Sequence, residues 1–228
     1  MGGVSYALCI HELDLPGRDV ALRRVSLEVR VGEAVGVVGR AGTGKSLLLR
    51  ILSGQRPAHG TSLEVLGLDL RREPRRVWES VGFMAGAKDS LLAWRSAAGN
   101  LHLEARQKGL PAARIDAAAR LQLERHGLLP RATTRVAQLD RSARFRLGLA
   151  AAVVAQPRLL FLDDPLHGAD AESAAHLVAV LEQWLAEDSS HTLVVAGESL
   201  DAFRGLLTSS WRLDERGLVP CSLTAVQD

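Results

Sequence analysis

The order of hydrophobic and polar positions along the chain predicts strands that alternate with helices. Short apolar or alternating runs near the N-terminus predict β-structure, and continuous apolar runs farther along predict buried strands. The predicted strands cover residues 6–10, 25–29, 33–38, 158–162 and 192–196. Because buried strands alternate with helices, the pattern predicts an α/β fold whose parallel strands are covered on both faces.

Helices are predicted where longer segments carry helix-forming residues between capping and breaking residues. Residues from about 88 to 155 are expected to be mostly helical, and Asp140 is suited to cap one of these helices. The predicted helices cover residues 45–52, 114–126, a segment following Asp140, and 171–185. Turn-forming residues predict a turn at 15–19 and a C-terminal hairpin over 211–219.

Length and composition indicate a soluble globular protein. The 228 residues fit one domain with at most a small subdomain, and 47% hydrophobic with 24% charged residues is ordinary for that class. The longest apolar run, residues 147–155, is half of what spans a bilayer, and no secretory signal is evident. We therefore expect a cytosolic protein whose membrane association depends on a partner.

Charge and cysteine usage narrow the possible partners. A formal charge of +2 gives no support for nucleic-acid binding. The local arginine cluster is interpreted as a solvated surface helix or turn; its members are Arg71, Arg72, Arg75 and Arg76. Cys9 and Cys221 lie at opposite ends without metal or redox spacing, so both are interpreted as small packed residues.

A phosphate-binding loop is the most specific motif in the chain. It follows the predicted strand 33–38, leads into the predicted helix 45–52 and is the segment Gly39-Arg40-Ala41-Gly42-Thr43-Gly44-Lys45-Ser46. Glycines allow the main-chain N–H groups to approach a phosphate closely, and the helix N-terminus, which includes Leu47, adds positive dipole. Lys45 supplies an ammonium for the β- and γ-phosphates, and the hydroxyl of Ser46 is a ligand for Mg²⁺.

An acidic partner for this metal is predicted at the end of another strand. The apolar run 158–162 ends in Asp163 and Asp164. Because parallel strands end at the same edge of a sheet, Asp163 should lie beside Ser46 and bind Mg²⁺ directly or through water. Taken alone, the two aspartates would be interpreted as the start of a polar loop.

The order and spacing of these motifs resemble the nucleotide-binding subunits of ABC transporters over nearly the whole chain. Similar stretches lie at residues 21–33, 60–70, 77–83, 159–165 and 167–170. The resemblance implies one domain over residues 1–228: a core (about 1–87 and 156–228) with an N-terminal antiparallel β layer, and a helical subdomain (about 88–155). It also implies ATP and Mg²⁺ as cofactors, and as partners a membrane permease and a second ABC subunit, identical or different.

Several positions depart from the family pattern. The signature Leu-Ser-Gly-Gly-Gln aligns with Leu139–Ala143, so Asp140 places a negative charge toward phosphate unless Arg141 compensates it. The Q-loop glutamine aligns with Gly86 and the switch histidine with Glu198, which cannot donate a hydrogen bond when ionised. The catalytic glutamate aligns with Asp164, one methylene shorter, and no adenine-stacking aromatic lies near Leu15 and Pro16.

Two hypotheses follow from this combination. The first is an ATP-binding subunit that couples ATP binding and hydrolysis to a permease at the inner face of the cell membrane, with weak or partner-dependent hydrolysis. The second is a nucleotide-binding partner of an active ABC subunit that does not itself hydrolyse ATP. A soluble ABC protein of DNA repair or translation is disfavoured because no zinc spacing, coiled-coil insertion, tandem second domain or strong basic field supports it. A small-molecule kinase is disfavoured because residues 139–170 fit the ABC order too closely. The permease is expected to contact residues 91–103, with Trp94 and Trp78 nearby, although Trp94 is interpreted rather as an ordinary packed aromatic.

Overall fold

The computed structural model describes residues 5–15, 22–86 and 91–222. Over these residues the strands, in chain order, are β1 (Tyr6–Leu15), β2 (Leu22–Arg30), β3 (Ala34–Val38), β4 (Ser62–Val65), β5 (Leu68–Asp69), β6 (Val81–Ala85), β7 (Leu159–Asp163), β8 (Thr192–Gly197), β9 (Ser209–Asp214) and β10 (Gly217–Cys221). The α-helices are α1 (Lys45–Leu52), α2 (Pro74–Ser80), α3 (Ala97–Gln107), α4 (Ala112–Arg125), α5 (Arg141–Val153) and α6 (Ala171–Glu187). Short 3₁₀ helices cover Leu129–Arg131, Val136–Gln138 and Asp201–Phe203.

The strands form two sheets. The larger sheet has the order β10-β9-β3-β8-β7-β6, and its strands are parallel except for the β9–β10 hairpin. Strands β3, β7 and β8 are buried along their whole length because helices and the second sheet cover both faces. The second sheet has the order β2-β1-β4-β5 and is antiparallel. The expected α/β core with an N-terminal antiparallel layer is confirmed.

Three hydrophobic clusters hold these layers together. One lies between the antiparallel sheet, α1 and the large sheet, and the second lies between the large sheet, α5 and α6. The third is formed within the segment 91–154 by α3, α4 and α5. The helical segment therefore has an apolar core of its own, while α5 also packs against the large sheet.

Most predicted elements are present, with differences at their ends. Helix α1 spans Lys45–Leu52 as predicted, and Asp140 caps α5 by accepting a hydrogen bond from the Ala143 N–H at 2.8 Å. Strand β1 continues to Leu15, beyond the predicted end at residue 10. Its second half begins with two consecutive polar residues, His11 and Glu12, and a positive φ of 53° at Glu12 interrupts the alternation, so periodicity underestimates its length. The turn predicted over 15–19 lies, apart from Leu15, outside the described residues.

The helical segment and the arginine cluster also agree with expectation. No helix among the described residues is both long and apolar enough to cross a bilayer.

The four clustered arginines lie in the turn before α2 and on α2 itself, where all four are exposed. Several of them pair with nearby carboxylates, as in the Arg71–Asp69 ion pair at 3.0 Å. This cluster is a solvated surface.

Candidate nucleotide-binding site

The phosphate-loop segment 39–46 connects the carboxyl end of β3 to the N-terminus of α1. Gly42 and Gly44 have φ values of 81° and 97°, a left-handed conformation that side chains with a Cβ rarely adopt. No protein atom lies within 4 Å of a Cβ placed at either glycine. Gly39 differs, because a Cβ there would lie 2.5 Å from the Leu213 carbonyl oxygen. The chain thus needs glycine at 42 and 44 for backbone conformation and at 39 for packing.

Lys45 is held against its own loop. Its Nζ donates hydrogen bonds to the carbonyl oxygens of Gly39 at 2.5 Å and Arg40 at 2.7 Å, and only 8% of the residue is exposed. Burial lowers the pKa of Lys45, and the carboxylates of Glu198, Asp164 and Asp163 oppose this shift. Lys45 also lines the cavity over the loop, together with these three carboxylates.

Ser46 and Asp163 meet as the sequence predicted. Strand β7 ends at Asp163, and the Ser46 hydroxyl donates a hydrogen bond to Asp163 Oδ1 at 2.9 Å. Asp163 is 6% exposed; this burial raises its pKa, and the hydrogen bond from Ser46 opposes the shift. A hydroxyl and a carboxylate oxygen at this separation are hard oxygen donors of the kind that Mg²⁺ prefers.

Asp164 lies beside this pair in an uncommon backbone conformation. Its φ is 47°, its N–H donates to the Ala196 carbonyl at 2.8 Å, and its Oδ2 lies 3.5 Å from His167 Nδ1. Aspartate tolerates left-handed φ better than most residues. The half-exposed carboxylate is therefore fixed at the edge of the cavity.

A cavity of about 760 Å³ covers the loop. The structure brings most of the predicted residues to its wall, namely Ala41, Gly42, Gly44, Lys45, Ser46, Leu47, Asp163 and Asp164. Gly39, Arg40 and Thr43 belong to the same loop but do not line the cavity. Sequence reasoning missed Arg50, Arg56 and His59, which also line it. Arg50 follows Ser46 by four positions on α1, so helical periodicity alone places both on one face.

The positions that depart from the family pattern surround this cavity or lie on the helical segment. Glu198 lines the cavity wall, close enough to raise the pKa of Lys45. The Gly86 N–H donates to the Asp163 carbonyl at 3.0 Å, and a Cβ at Gly86 would approach the Asp164 carbonyl oxygen to 3.2 Å. Space for a larger residue at 86 is therefore limited unless the backbone moves.

The negative charge of Asp140 is paired with Arg131. Arg131 Nη1 donates to its carboxylate, and this bond, with the Ala143 N–H, lowers the pKa of Asp140. Arg141 instead places its guanidinium against Gly168. The sequence left open whether Arg141 compensates Asp140, and in the structure Arg131 makes that ion pair.

The two tryptophans of the expected permease surface differ in exposure. Trp94 is 66% exposed and lies under the Arg95 guanidinium at 4.7 Å, so interpreting it as a packed core aromatic is wrong. Trp78 is partly buried, and Lys108 Nζ lies 2.9 Å from its ring centroid. Burial lowers the pKa of Lys108 to about 7, opposed by Glu104 and Glu79.

The loop, the strand-end carboxylate and the sheet order can be compared with known proteins. The sequence model of the ABC transporter family matches residues 22–167. The chain belongs to the ABC transporter family. Similar proteins include the taurine import ATP-binding protein TauB of Pseudomonas aeruginosa, 37% identical over 172 residues, which are 73% of this chain and 62% of TauB. The methionine import ATP-binding protein MetN of Nocardia farcinica is 30% identical over 190 residues, or 81% of this chain and 56% of MetN.

The fold of this ABC family member is also found in solved structures. That of cbiO1 from Clostridium perfringens, part of the ABC transporter complex cbiONQ, superposes with a TM-score of 0.79 at 20% identity and covers 94% of this chain and 87% of cbiO1. At that identity the likeness shows the fold alone. The chain spans about six tenths of the length of the two import proteins it matches.

Proposed function

We propose that this chain is the ATP-binding subunit of an ABC transporter and couples ATP binding and hydrolysis to a membrane permease. The observation that carries the proposal is the hydrogen bond of 2.9 Å between Ser46 and Asp163, next to the Lys45 ammonium. It joins a hydroxyl at the start of α1 to a carboxylate at the end of β7. A glycine-rich turn with a chance lysine and serine gives no reason for such a partner.

Phosphate binding follows from the geometry of the loop. Main-chain N–H groups of Gly42 and of residues 44–47, together with the N-terminus of α1, provide donors and positive dipole for the β- and γ-phosphates of ATP. Lys45 adds a full positive charge. Ser46 and Asp163 would hold Mg²⁺, which neutralises charge on the phosphate oxygens when it is bound. Arg50 and Arg56 on the cavity wall add positive charge around the same anion.

Hydrolysis is proposed to be weak or dependent on a partner. Asp164 is the carboxylate placed to accept a proton from an attacking water, but it is one methylene shorter than the glutamate of the family pattern. A displacement of about 1 Å can lower a rate by on the order of 100-fold. Gly86 offers no side-chain donor, and Glu198 offers none when ionised. The site thus favours ATP binding over ATP hydrolysis.

The proposed partners are a second ABC subunit and a permease. The helical segment, for which we propose a subdomain over about 88–155, has its own apolar cluster within residues 91–154. Its surface around 91–103 includes the exposed Trp94, which suits contact with another protein. This partnership would place the chain at the cytoplasmic face of the membrane, and the names of TauB and MetN favour import over export.

The departures from the family pattern favour a second candidate, a nucleotide-binding partner that does not hydrolyse ATP. In this alternative ATP stabilises a pair formed with an active ABC subunit. The observation that favours it is that Gly86, Asp140 and Glu198 replace side chains that donate hydrogen bonds.

Two measurements on the purified chain test these proposals. Calorimetric titration with Mg-ATP should give binding that Lys45→Ala weakens by about tenfold or more, because a buried charged donor is lost. Arg106→Ala, which removes an exposed charge from α3, is the control and should leave the affinity unchanged. Equal affinity of the Lys45 variant and its parent would refute the site.

Phosphate release separates the two candidates. If Asp164→Asn abolishes release and Asp116→Asn does not, Asp164 acts in hydrolysis and the first candidate holds. Asp116 is a suitable control because its side chain is 93% exposed on α4. ATP binding with no release above background, unchanged by Asp164→Asn, would support the alternative.

A further inference from the structure

A cluster of metal-binding side chains lies on the outer face of the antiparallel sheet. Cys9 and His11 are two residues apart on β1, so both point to the same face, while Leu8 and Ile10 are buried on the other. Glu28 on β2 pairs directly with Cys9. None of the three ligating side chains lines the cavity over the phosphate loop.

The donor atoms converge. Cys9 Sγ lies 3.4 Å from His11 Nε2, and His11 Nε2 lies 3.4 Å from Glu28 Oε1. All three donors are within 4.8 Å of one another. With usual zinc–ligand bond lengths, two donors of a tetrahedral site are about 3.3–3.6 Å apart. The separations involving His11 fit that range without a rotamer change.

A β-bulge explains why His11 reaches this position. Ile10 pairs with Leu27 and Leu13 pairs with Val25, so two residues of β1 face the single residue Ser26. Glu12, the second of the two, has a φ of 53°, and its N–H donates to Ser26 Oγ at 3.2 Å. Bulges re-aim side chains and occur often beside functional sites.

We propose that Cys9, His11 and Glu28 form a zinc-binding site. Sulfur, imidazole and carboxylate ligands together are typical of zinc, whereas Mg²⁺ prefers oxygen alone. On binding, the Cys9 thiol releases its proton to water and the thiolate joins the metal, so no redox partner is needed. Three protein ligands leave a fourth position for water.

The surroundings favour a cation. Glu64 on β4 pairs with Cys9 from the side opposite Glu28, so carboxylates flank the thiol on both sides. The side chains of His11 and Glu28 are 43% and 48% exposed, which leaves a path for the ion. Bound zinc would join β1 to β2.

Cobalt(II) binding tests the proposal, because Co²⁺ accepts the same tetrahedral ligands and a thiolate–cobalt bond absorbs in the near ultraviolet. The full-length chain, reduced and without nucleotide, is titrated with Co²⁺ and then with Zn²⁺. We expect a thiolate band that Zn²⁺ removes. Cys9→Ser should abolish the band, and His11→Gln and Glu28→Gln should each weaken Co²⁺ binding by about tenfold or more.

Two matched controls come from the chain itself. Cys221→Ser removes the other described thiol. His102→Gln removes a histidine that matches His11: its side chain is also 43% exposed, and its Nε2 also lies 3.4 Å from a carboxylate oxygen, that of Asp116. Both should leave Co²⁺ binding unchanged.

The proposal is overturned if the parent shows no thiolate band, if the band disappears in Cys221→Ser rather than Cys9→Ser, or if His102→Gln weakens binding as much as His11→Gln. Circular dichroism checks folding, and the ligand variants His11→Gln and Glu28→Gln, which retain Cys9, decide the outcome if Cys9→Ser is unfolded. Because nucleotide is omitted, the result is independent of ATP binding.

Discussion

The phosphate cradle and the residues around its rim differ in how far they keep the chemistry of an ATPase. The cradle, defined as Gly39–Ser46 with Asp163, has its glycines in the required conformation, its lysine oriented and its serine bonded to the carboxylate. The rim, defined as Asp164 and Glu198 on the cavity wall, provides one carboxylate that we propose as the base and one further negative charge. In our proposal, binding a phosphate and hydrolysing it therefore depend on different residues at the same edge of the sheet.

The largest effect is expected from Asp163→Asn, which tests whether the cradle depends on a metal. The amide keeps an oxygen near Ser46 but loses the charge that Mg²⁺ requires. We expect the Mg²⁺-dependent gain in ATP affinity to fall by about 100-fold, equivalent to about 2.7 kcal/mol. Titrations with and without a chelator measure it, with Asp116→Asn as the control. An undiminished Mg²⁺ effect would remove Asp163 from the site.

The helical segment also contacts α6 of the core, and one such contact should be sensitive to pH. His126 at the end of α4 lies 3.1 Å (Nδ1 to Nε2) from His176 on α6. Burial, then His176, lower the pKa of His126 from 6.5 to about 3. The unfolded chain therefore binds more protons between these values, so stability is lost as pH falls below 6.5.

Between pH 6.5 and pH 5 the free energy of unfolding should decrease by up to about 2 kcal/mol. His126→Gln should flatten this dependence, as measured by urea unfolding at both pH values. The exposed carboxylate Asp69, whose pKa Arg71 lowers to about 2, acts below this window. A variant with the parent's slope would show that His126 is not responsible.

Asp164→Glu sharpens the comparison by restoring one missing methylene. If reach limits hydrolysis, phosphate release should rise by about tenfold while ATP affinity stays the same. Left-handed φ at this position is harder for glutamate than for aspartate, which limits the gain. Single-turnover assays measure it. A further loss of activity would place the defect at Gly86 or Glu198 instead.

Substitutions of Asp140 test whether a position that departs from the family pattern stabilises the fold. Asp140→Ala should lower the free energy of unfolding by about 1 kcal/mol because α5 loses its cap. Asp140→Asn keeps a capping oxygen but removes the charge that pairs with Arg131, so its loss should be smaller. Thermal unfolding of both variants is the measurement. Equal losses would assign the effect to the ion pair.

The smallest expected effect belongs to Glu198→Gln. Removing one carboxylate from the cavity wall should increase ATP affinity by about two- to fivefold, since a half-solvated negative charge no longer opposes the triphosphate. Calorimetry at low and moderate salt measures it, and the gain should shrink as salt rises. A decrease in affinity would mean that Glu198 supports Lys45 more than it opposes ATP.

The sequence was sufficient to predict contacts in the site wherever a local motif and a simple topological rule agree. The loop at 39–46 and its partner Asp163 were predictable because the motif sits between a strand and a helix, and parallel strands end at one edge. The pairing of Asp140 with Arg131 was not, because two short 3₁₀ helices bring residue 131 back to the start of α5. Likewise, the meeting of Cys9 and Glu28 depends on strand register, and that of His11 on a bulge.

The two hydrogen bonds from Lys45 to main-chain carbonyl oxygens also affect the rate and the affinity of ligand binding. A free lysine side chain loses about 1.5–2 kcal/mol of rotamer entropy when it becomes fixed. Here the carbonyl oxygens of the loop fix the ammonium, so the side-chain entropy is lost when the protein folds and not when the ligand binds. The Lys45 ammonium is therefore already in place when a triphosphate arrives, and its side chain needs little further ordering for the ligand to bind.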